Sequence, residues 1–430
     1  LLSLGAQVSV YDKKTRQEME PNLVQFFKNK DAICYFGEEP TSIDSFNLMI
    51  VSPGVPLSLD LVQRGQEAGV EIIGEIELAW RLGRGKYVAI TGTNGKTTTT
   101  VLTGELFCQA GRRTRVVGNV GIAAVKKAVA ADEDTWLITE ISSFQLETTK
   151  DFHPRISALL NITPDHLDRH QTMENYVNAK ATVYRNQDEN DYFVVNYDDP
   201  VSWKLAKGCK ARVVPFSRKQ ILNFGCFVQG GVIVIRDERG EIHQLCKPDE
   251  LGIPGAHNLE NVLAASAIAF FAGIEPQSIA QTLRMFKGVA HRLEFCGEIK
   301  GIRFVNDSKG TNPDASIKAI EAIDGKIILI AGGYDKGSTF TELVNAFDGK
   351  VKALILLGKT APLIKETAKS KGFTNIIMAK DMEECVKEGL RIAEMGDTVL
   401  LSPACASWDM YTCFEQRGEH FKSCVRNLAK

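Results

Sequence analysis

Short apolar runs rich in Val, Ile and Leu alternate with amphipathic stretches along almost the whole chain, and Gly, Pro, Asn and Asp punctuate the boundaries. This alternation predicts parallel strands joined by crossover helices, an α/β fold. Early strands are expected at residues 7–11, closed by Asp12, at 48–51, running into Ser52-Pro53-Gly54, and at 70–73, before an amphipathic helix over 75–82. The opening Leu1-Leu2-Ser3-Leu4-Gly5 reads as the end of a helix, so the natural chain is expected to begin further upstream. Gly83-Arg84-Gly85 reads as a hinge.

A second series of strands is expected at 87–91, 115–117, 135–139, 156–161 and 192–196. A β-rich insert follows over 224–245, turning at Gly230-Gly231 and Arg239-Gly240. An Ala-rich helix over 259–271, capped near Gly273, closes this segment. A third series starts near His291, with strands at 302–306, 326–331, 353–357, 375–378 and 398–401. The expected division is therefore 1–84, 85–290 and 291–430, three domains each built on a mostly parallel sheet with flanking helices. A chain of 430 residues with 44% hydrophobic positions supports that many cores.

Charge narrows the partners. The 51 basic and 53 acidic residues leave a formal charge of -2, which argues against general nucleic-acid or membrane binding. No apolar run is long enough to span a bilayer. The ten cysteines form no CxxC pair and no zinc-like cluster, the usage of a reducing compartment, so the expected location is the cytoplasm. Separately, the chain is expected to be a monomer.

The strongest chemical signal is Val88-Ala89-Ile90-Thr91-Gly92-Thr93-Asn94-Gly95-Lys96-Thr97-Thr98-Thr99, an apolar strand entering a Gly-rich turn and then a helix headed by Lys-Thr. Glycines let backbone N–H groups approach phosphate oxygens, and a helix N-terminus favours negative charge. Lys96 would supply a point charge for the β- and γ-phosphates of ATP, and the Thr97 hydroxyl would reach Mg²⁺. The turn departs from the full phosphate-loop pattern, because Ile90 stands where its first Gly would be. An ordinary strand–helix turn would not need all of these residues together.

A second signal, Thr135-Trp136-Leu137-Ile138-Thr139-Glu140-Ile141-Ser142-Ser143-Phe144-Gln145, ends an apolar strand on Glu140. A carboxylate there is costly unless paired or bound to metal, and strand C-termini line the ligand crevice of a doubly wound sheet. Glu140 is thus expected near the phosphate loop as a Mg²⁺ ligand or water-positioning group, with an exposed turn acid as the competing account. The third signal is Asn161-Ile162-Thr163-Pro164-Asp165-His166-Leu167-Asp168-Arg169-His170. His166 and His170 have helical i, i+4 spacing, but the Glu of a zinc H-E-x-x-H is missing, and the oxygen-rich surroundings suit Mg²⁺ better.

These three segments resemble the central, P-loop ATPase-like domain of the Mur ligases, which build the peptidoglycan stem peptide, with Rossmann-like domains at either end. Ala290-His291-Arg292-Leu293-Glu294, Asn306-Asp307-Ser308-Lys309-Gly310-Thr311-Asn312, Ser402-Pro403-Ala404-Cys405-Ala406-Ser407-Trp408-Asp409 and Phe414-Glu415-Gln416-Arg417-Gly418 are similar to the member that takes D-glutamate. The resemblance covers essentially the whole chain. It implies a ligase that uses ATP and Mg²⁺, at two sites, to activate the carboxylate of UDP-N-acetylmuramoyl-L-alanine as an acyl phosphate and to join it to D-glutamate.

By the same resemblance, Gly92, Thr93, Asn94, Gly95, Lys96, Thr97 and Thr98 hold the ATP phosphates, Asn258 and Asn261 lie on the adenine side, and Arg292 and Asp307 contact ATP from the C-terminal domain as the enzyme closes. Thr97, Glu140, His166 and Lys180 serve the metal, Lys180 as a carbamate. Lys96, Glu140, His166 and Lys180 form the catalytic set. Asn119 and Ser142, with His166, lie on the substrate side, and Lys309, Thr311, Lys336, Ser407 and Phe414 surround D-glutamate. Asp12 is the nucleotide-side residue of the first domain, or else caps the turn that follows it. For Asn258 a helix N-cap is the plainer role, and for Lys180 a solvated helix lysine. The rival readings are a sister ligase for another amino acid, a P-loop NTPase acting as a switch or motor, and a non-catalytic binding module.

Overall fold

A computed structural model describes residues 1–428 apart from Asp31, Pro254 and residues 335–337, with all side chains of these but that of Asp168. Two compact units result, Leu1–Phe286 and Lys287–Lys430.

The first unit is organised by a nine-stranded sheet. From one edge its strands are Ile242–Gln244, Val232–Arg236, Gly225–Gln229, Arg212–Ser217, Tyr192–Asn196, Ile156–Leu159, Lys86–Thr91, Trp136–Glu140 and Thr114–Gly118. The last seven run parallel, and only the hairpin pairs at the first edge are antiparallel. Val88, Ala89 and Ile90 are fully buried, as an unbroken apolar run in a sheet covered on both faces requires. Ile90 pairs with Glu140 on one side and Ala158 on the other, so it remains inside the strand and the turn begins only at Gly92. Lys86–Thr91 therefore lies between two strands that come later in sequence, at a topological switch point where C-terminal ends open a crevice. Helix Lys96–Gln109 leaves that crevice and packs along helix Ala256–Phe271.

Residues before 84 form two separate parallel ladders, Ser9–Asp12 with Ile33–Phe36 and Leu48–Val51 with Glu71–Gly74, instead of one sheet. A cleft of about 210 Å³ lies between them, lined by Tyr11, Tyr35, Ile43, Phe46, Met49 and Leu61. This region joins the central sheet through helix Glu75–Leu82. The fully buried Glu77 carboxylate accepts from the backbone N–H groups of Lys150, Asp151 and Phe152 at 2.9, 3.0 and 3.0 Å and from Arg81 Nε at 2.9 Å. A buried charge with four donors is satisfied, and it pins the first region to the second.

The second unit is a six-stranded sheet in the order Glu294–Ile299, Ile302–Asn306, Thr398–Leu401, Ile327–Ala331, Val351–Leu356 and Ile376–Met378, parallel except for its first strand. Ile327–Ala331 is wholly buried at the centre.

Several elements differ from the sequence expectation. Arg212–Ser217 is a strand despite Pro215, and Glu294–Ile299 is an edge strand whose bulge between Phe295 and Gly297 breaks its alternation. Helix Pro21–Lys28 and strand Ile33–Phe36 were not anticipated at all. The helix expected from residue 259 starts at Ala256, because Gly255 (φ 102°) makes the entry turn as N-cap. Asn258 is thus inside the first turn and is not the cap.

Candidate active site

The turn after Lys86–Thr91 is built from residues brought together across the sheet. Gly95 precedes helix Lys96–Gln109 with φ 84°, a left-handed conformation that suits glycine, and a Cβ there would collide with Asn261 Oδ1. Asn261 accepts from Thr99 Oγ1 at 3.3 Å and donates to Asn258 Oδ1 at 3.4 Å, so Asn261 stands against the turn and Asn258 is bonded to it. From the neighbouring strand end, Asn161 clamps the loop: its Oδ1 accepts from Asn94 N at 2.8 Å and its carbonyl from Thr93 N at 2.9 Å. Thr93 Oγ1 lies 3.1 Å from the Tyr176 hydroxyl and accepts from Thr163 N at 3.0 Å. Thr97 is buried at the head of the helix, and Thr98 follows it in the first turn.

Two lysines meet under the turn. Lys96 Nζ donates to the carbonyls of Gly92 and Thr93 at 2.9 and 2.8 Å, and Lys180 Nζ donates to the same Gly92 carbonyl at 2.8 Å. Lys180 is only 1% exposed, its ammonium 4.6 Å from the centre of the Tyr176 ring. Burial, and then the Lys96 charge, hold its pKa well below the usual lysine value, against a smaller opposing pull from Asp165. A solvated helix lysine it is not. Burial likewise pushes the Tyr176 phenol up to about 12.

Glu140 ends its strand at 2% exposure. Its Oε1 accepts from Asn119 Nδ2 at 2.7 Å, while Oε2 is buried with no hydrogen-bond partner. A buried carboxylate oxygen left unsatisfied is an expensive feature that a hard divalent cation would relieve. The oxygen donors present therefore fit Mg²⁺: a carboxylate oxygen of Glu140 and the Thr97 hydroxyl at the helix head. Ser142 caps helix Ser143–Leu146 through a capping box with Gln145, which gives its hydroxyl a structural duty.

His166 is in the left-handed region (φ 52°) and half-exposed, its ring 4.9 Å from that of Phe144. His170 has a different fate: it is buried, bonded to Ser143 Oγ at 2.9 Å and paired with Glu147 at 3.2 Å. The i, i+4 spacing of these histidines therefore does not make two equivalent ligands. Arg169, overlooked in the sequence, stacks 4.4 Å over Phe144, pairs with Glu147 at 2.8 Å and donates to the carbonyls of Pro53 and Val55 at 3.1 and 3.3 Å. It thereby ties the Ser52-Pro53-Gly54 turn to the His166 segment. Asp12, at its strand end, accepts from Lys14 N at 2.9 Å, the turn-capping alternative. Among the described residues, the groups with metal-site geometry are His153, Asp188 and Asp191, and Asp237, Glu241 and His243; none is a predicted site residue.

On the second unit, Asp307 is buried and accepts from Ser402 Oγ at 2.7 Å and Leu293 N at 3.3 Å; burial pushes its pKa up to about 6. Lys309 N donates to the His291 carbonyl at 3.0 Å. Arg292 belongs to the turn that enters Glu294–Ile299, and Thr311 follows Lys309 in the loop that leads to helix Pro313–Ala322. Ser407 is buried, and Phe414 opens helix Phe414–Leu428, its carbonyl accepting from Ser308 Oγ at 2.8 Å. Lys336 lies outside the described residues.

Residues 90–269 match the Mur ligase middle domain and residues 291–405 the Mur ligase glutamate ligase domain. A UDP-N-acetylmuramoylalanine–D-glutamate ligase of Caldanaerobacter subterraneus subsp. tengcongensis is 49% identical over 433 residues, covering 100% of this chain and 95% of the relative. The corresponding Clostridioides difficile ligase is 48% identical, over 99% of this chain and 94% of its own length. Among solved structures, a UDP-N-acetylmuramate–alanine ligase of Thermotoga maritima has a TM-score of 0.56 at 18% identity, covering 99% of this chain and 95% of that one. A Thermotoga maritima MurF ligase in complex with ADP has 0.55 at 16%, covering 91% and 100%. At these identities the structures speak for the fold alone.

Proposed function

This chain belongs to the Mur ligase family, and from that premise we propose that it joins D-glutamate to UDP-N-acetylmuramoyl-L-alanine at the expense of ATP, in peptidoglycan precursor synthesis. The observation that carries the reading is the convergence of Lys96 and Lys180 on the Gly92 carbonyl, beside a buried Glu140 with an unsatisfied oxygen. Such a site neutralises and positions transferring phosphoryl groups, which is most of what this chemistry asks of a protein.

A carboxylate is a poor electrophile, so the substrate carboxylate oxygen attacks the γ-phosphorus of ATP, ADP leaves and an acyl phosphate forms. The D-glutamate amine then attacks the acyl carbon, and phosphate departs with the C–O electron pair. Backbone N–H groups of Gly92–Thr98 and the Lys96 ammonium cradle the phosphates. Mg²⁺ supplies charge neutralisation on the phosphoryl oxygens; Thr97, Glu140, His166 and Lys180 would hold it, at two sites. Lys180 would do so as a carbamate, and an amine kept from protonating is the form that adds to CO₂. Asn119 orients Glu140, and Asn258 and Asn261 face the adenine. Arg292 and Asp307 of the second unit are assigned to ATP, and Lys309, Thr311, Lys336, Ser407 and Phe414 to D-glutamate. Residues 1–84 hold the UDP moiety, with Asp12 at a strand end bordering the cleft between the two ladders. Residues 85–290 bind ATP and 291–430 the amino acid. No helix among the described residues is long and apolar enough to cross a membrane, in keeping with a cytoplasmic enzyme.

Phosphate release with ATP and UDP-N-acetylmuramoyl-L-alanine across a panel of D- and L-amino acids tests the proposal. D-glutamate should be preferred over L-alanine and L-lysine by roughly 10⁴-fold, as for a site built around polar contacts. Preference for a neutral or basic amino acid would move the chain to a sister ligase.

A further inference from the structure

Arg417, in the first turn of helix Phe414–Leu428, has no role in the reading above, yet it is among the largest fully buried side chains of the molecule, 2% exposed. Its donors are spent on neutral acceptors. Nε donates to Ser308 Oγ at 3.0 Å, Nη2 to the Ser308 carbonyl at 2.9 Å, and Nη1 to the carbonyls of Cys405 and Ala406 at 3.1 and 3.2 Å. No carboxylate among the described residues lies within ion-pair distance; Asp307 and Asp409 act on it only through space. Desolvation pushes this guanidinium down to about 10. Neutral donors could bracket the same carbonyls without burying a charge, so the bracket alone does not account for an arginine.

Its position supplies the missing reason. The acceptors sit on loops leaving the C-terminal ends of the adjacent strands Ile302–Asn306 and Thr398–Leu401. A Cβ at Gly333, just beyond the next strand Ile327–Ala331, would stand 3.2 Å from Nη1, so glycine there admits the guanidinium beneath a third loop. The same loops carry Lys309, Thr311 and Ser407, and Phe414 begins the helix that delivers Arg417.

We propose that Arg417 is a specificity-determining residue of the amino-acid subsite, a fixed positive charge under three strand-end loops that selects an amine bearing a second carboxylate over its neutral counterparts. The proposal rests on the D-glutamate reading given above. Arg417 does not touch the substrate; it sets the potential of the pocket floor and holds Ser308 and Ala406, the neighbours of Lys309 and Ser407, in register.

The test uses the full chain with ATP and UDP-N-acetylmuramoyl-L-alanine, comparing kcat/KM for D-glutamate with that for D-glutamine, which has nearly the same shape and no side-chain charge. In Arg417→Gln the D-glutamate to D-glutamine ratio should fall at least about tenfold, through the KM for D-glutamate, with the KM for ATP within about twofold. Arg417→Lys, which restores the charge without the planar fork, should keep the ratio within about threefold of wild type. An unchanged ratio in the Gln variant overturns the proposal, as does a Lys variant that loses discrimination as fully as Gln, since a purely structural bracket predicts that. Should the Gln variant not fold, the Lys variant decides alone: a retained ratio supports the charge, a lost one overturns it. A wild-type enzyme that already prefers a neutral amino acid sinks the substrate reading and this proposal together, whereas failure of the variants alone leaves the substrate reading standing.

Discussion

Lys96 and Lys180 donate to one acceptor, the carbonyl oxygen of Gly92, at 2.9 and 2.8 Å. Burial first, and then repulsion from the Lys96 charge, hold the Lys180 pKa well below the ordinary lysine value. Lys180→Ala should therefore fold and lose activity by about 10²-fold or more, as when a charge-stabilising group is removed from a closed site. Short carboxylic acids should partly restore turnover by standing in for the carbamate. Steady-state rates with and without added formate or acetate measure this, and near-normal turnover without additive would remove Lys180 from the mechanism.

The same depressed pKa predicts a pH effect on stability. The unfolded chain holds the Lys180 proton up to its ordinary pKa of 10.5, whereas the folded chain releases it at lower pH. Across that window the unfolded state binds more protons, so stability rises with pH and the burden is greatest at the acidic end. Lys180→Met should be more stable than wild type near neutrality, by a margin that shrinks toward pH 10. Thermal melts of both proteins between about pH 7 and pH 10 decide it; a constant margin would contradict the depressed pKa.

Asp307 titrates in the opposite sense. Its carboxyl ionises at about 6 when folded and near 3.8 when unfolded, so the folded state binds the extra proton and stability falls as pH rises through that window. At about 1.4 kcal/mol per pH unit, the loss by pH 7 is ~3 kcal/mol in order of magnitude. Asp307→Asn, which keeps an acceptor for Leu293 N, should melt higher than wild type at pH 7 and converge with it near pH 4. It should also raise the KM for ATP. Equal melting temperatures at pH 7 would mean that the carboxylate is better compensated than its surroundings indicate.

Glu140→Gln should remove the buried charge, with an amide NH₂ in place of the unpaired oxygen, and weaken Mg²⁺ dependence at once. Activity should fall by roughly 10²-fold, with half-saturation by Mg²⁺ shifted upward, because a neutral amide is a poor ligand for a hard cation. A Mg²⁺ titration of the rate, with melting curves alongside, separates the two effects. An unaltered Mg²⁺ response would exclude Glu140 as a ligand.

Gly95→Ala places a Cβ on a left-handed residue and against Asn261 Oδ1. The backbone cost alone is about 1–2 kcal/mol, and displacing Asn261 should add to it. ATP binding measured by calorimetry should weaken at least about tenfold. Undiminished affinity would show that this turn does not hold the nucleotide.

Much of this was legible because it is local. Period-two and buried runs place the strands, and Gly92-Thr93-Asn94-Gly95-Lys96-Thr97 announces a phosphate-binding turn through residues adjacent in sequence, with glycine where the backbone turns left-handed. Glu140 could be found because it ends a run of buried strand residues, and a charge in that place needs a reason. What the sequence could not display was decided by contacts between distant positions. The clamp of Asn161 on Asn94 spans 67 residues, and nothing beside Asn161 points to it. Lys180 looks like any helix lysine until packing encloses it beneath Gly92, and only then does desolvation change its proton affinity. Arg417 is likewise ordinary in a helical pattern, and becomes singular because loops from three strands close over its guanidinium. Residue type and spacing thus determined the elements and the phosphate turn. The burial of charge, which depends on everything that surrounds a side chain, was decided by the tertiary structure.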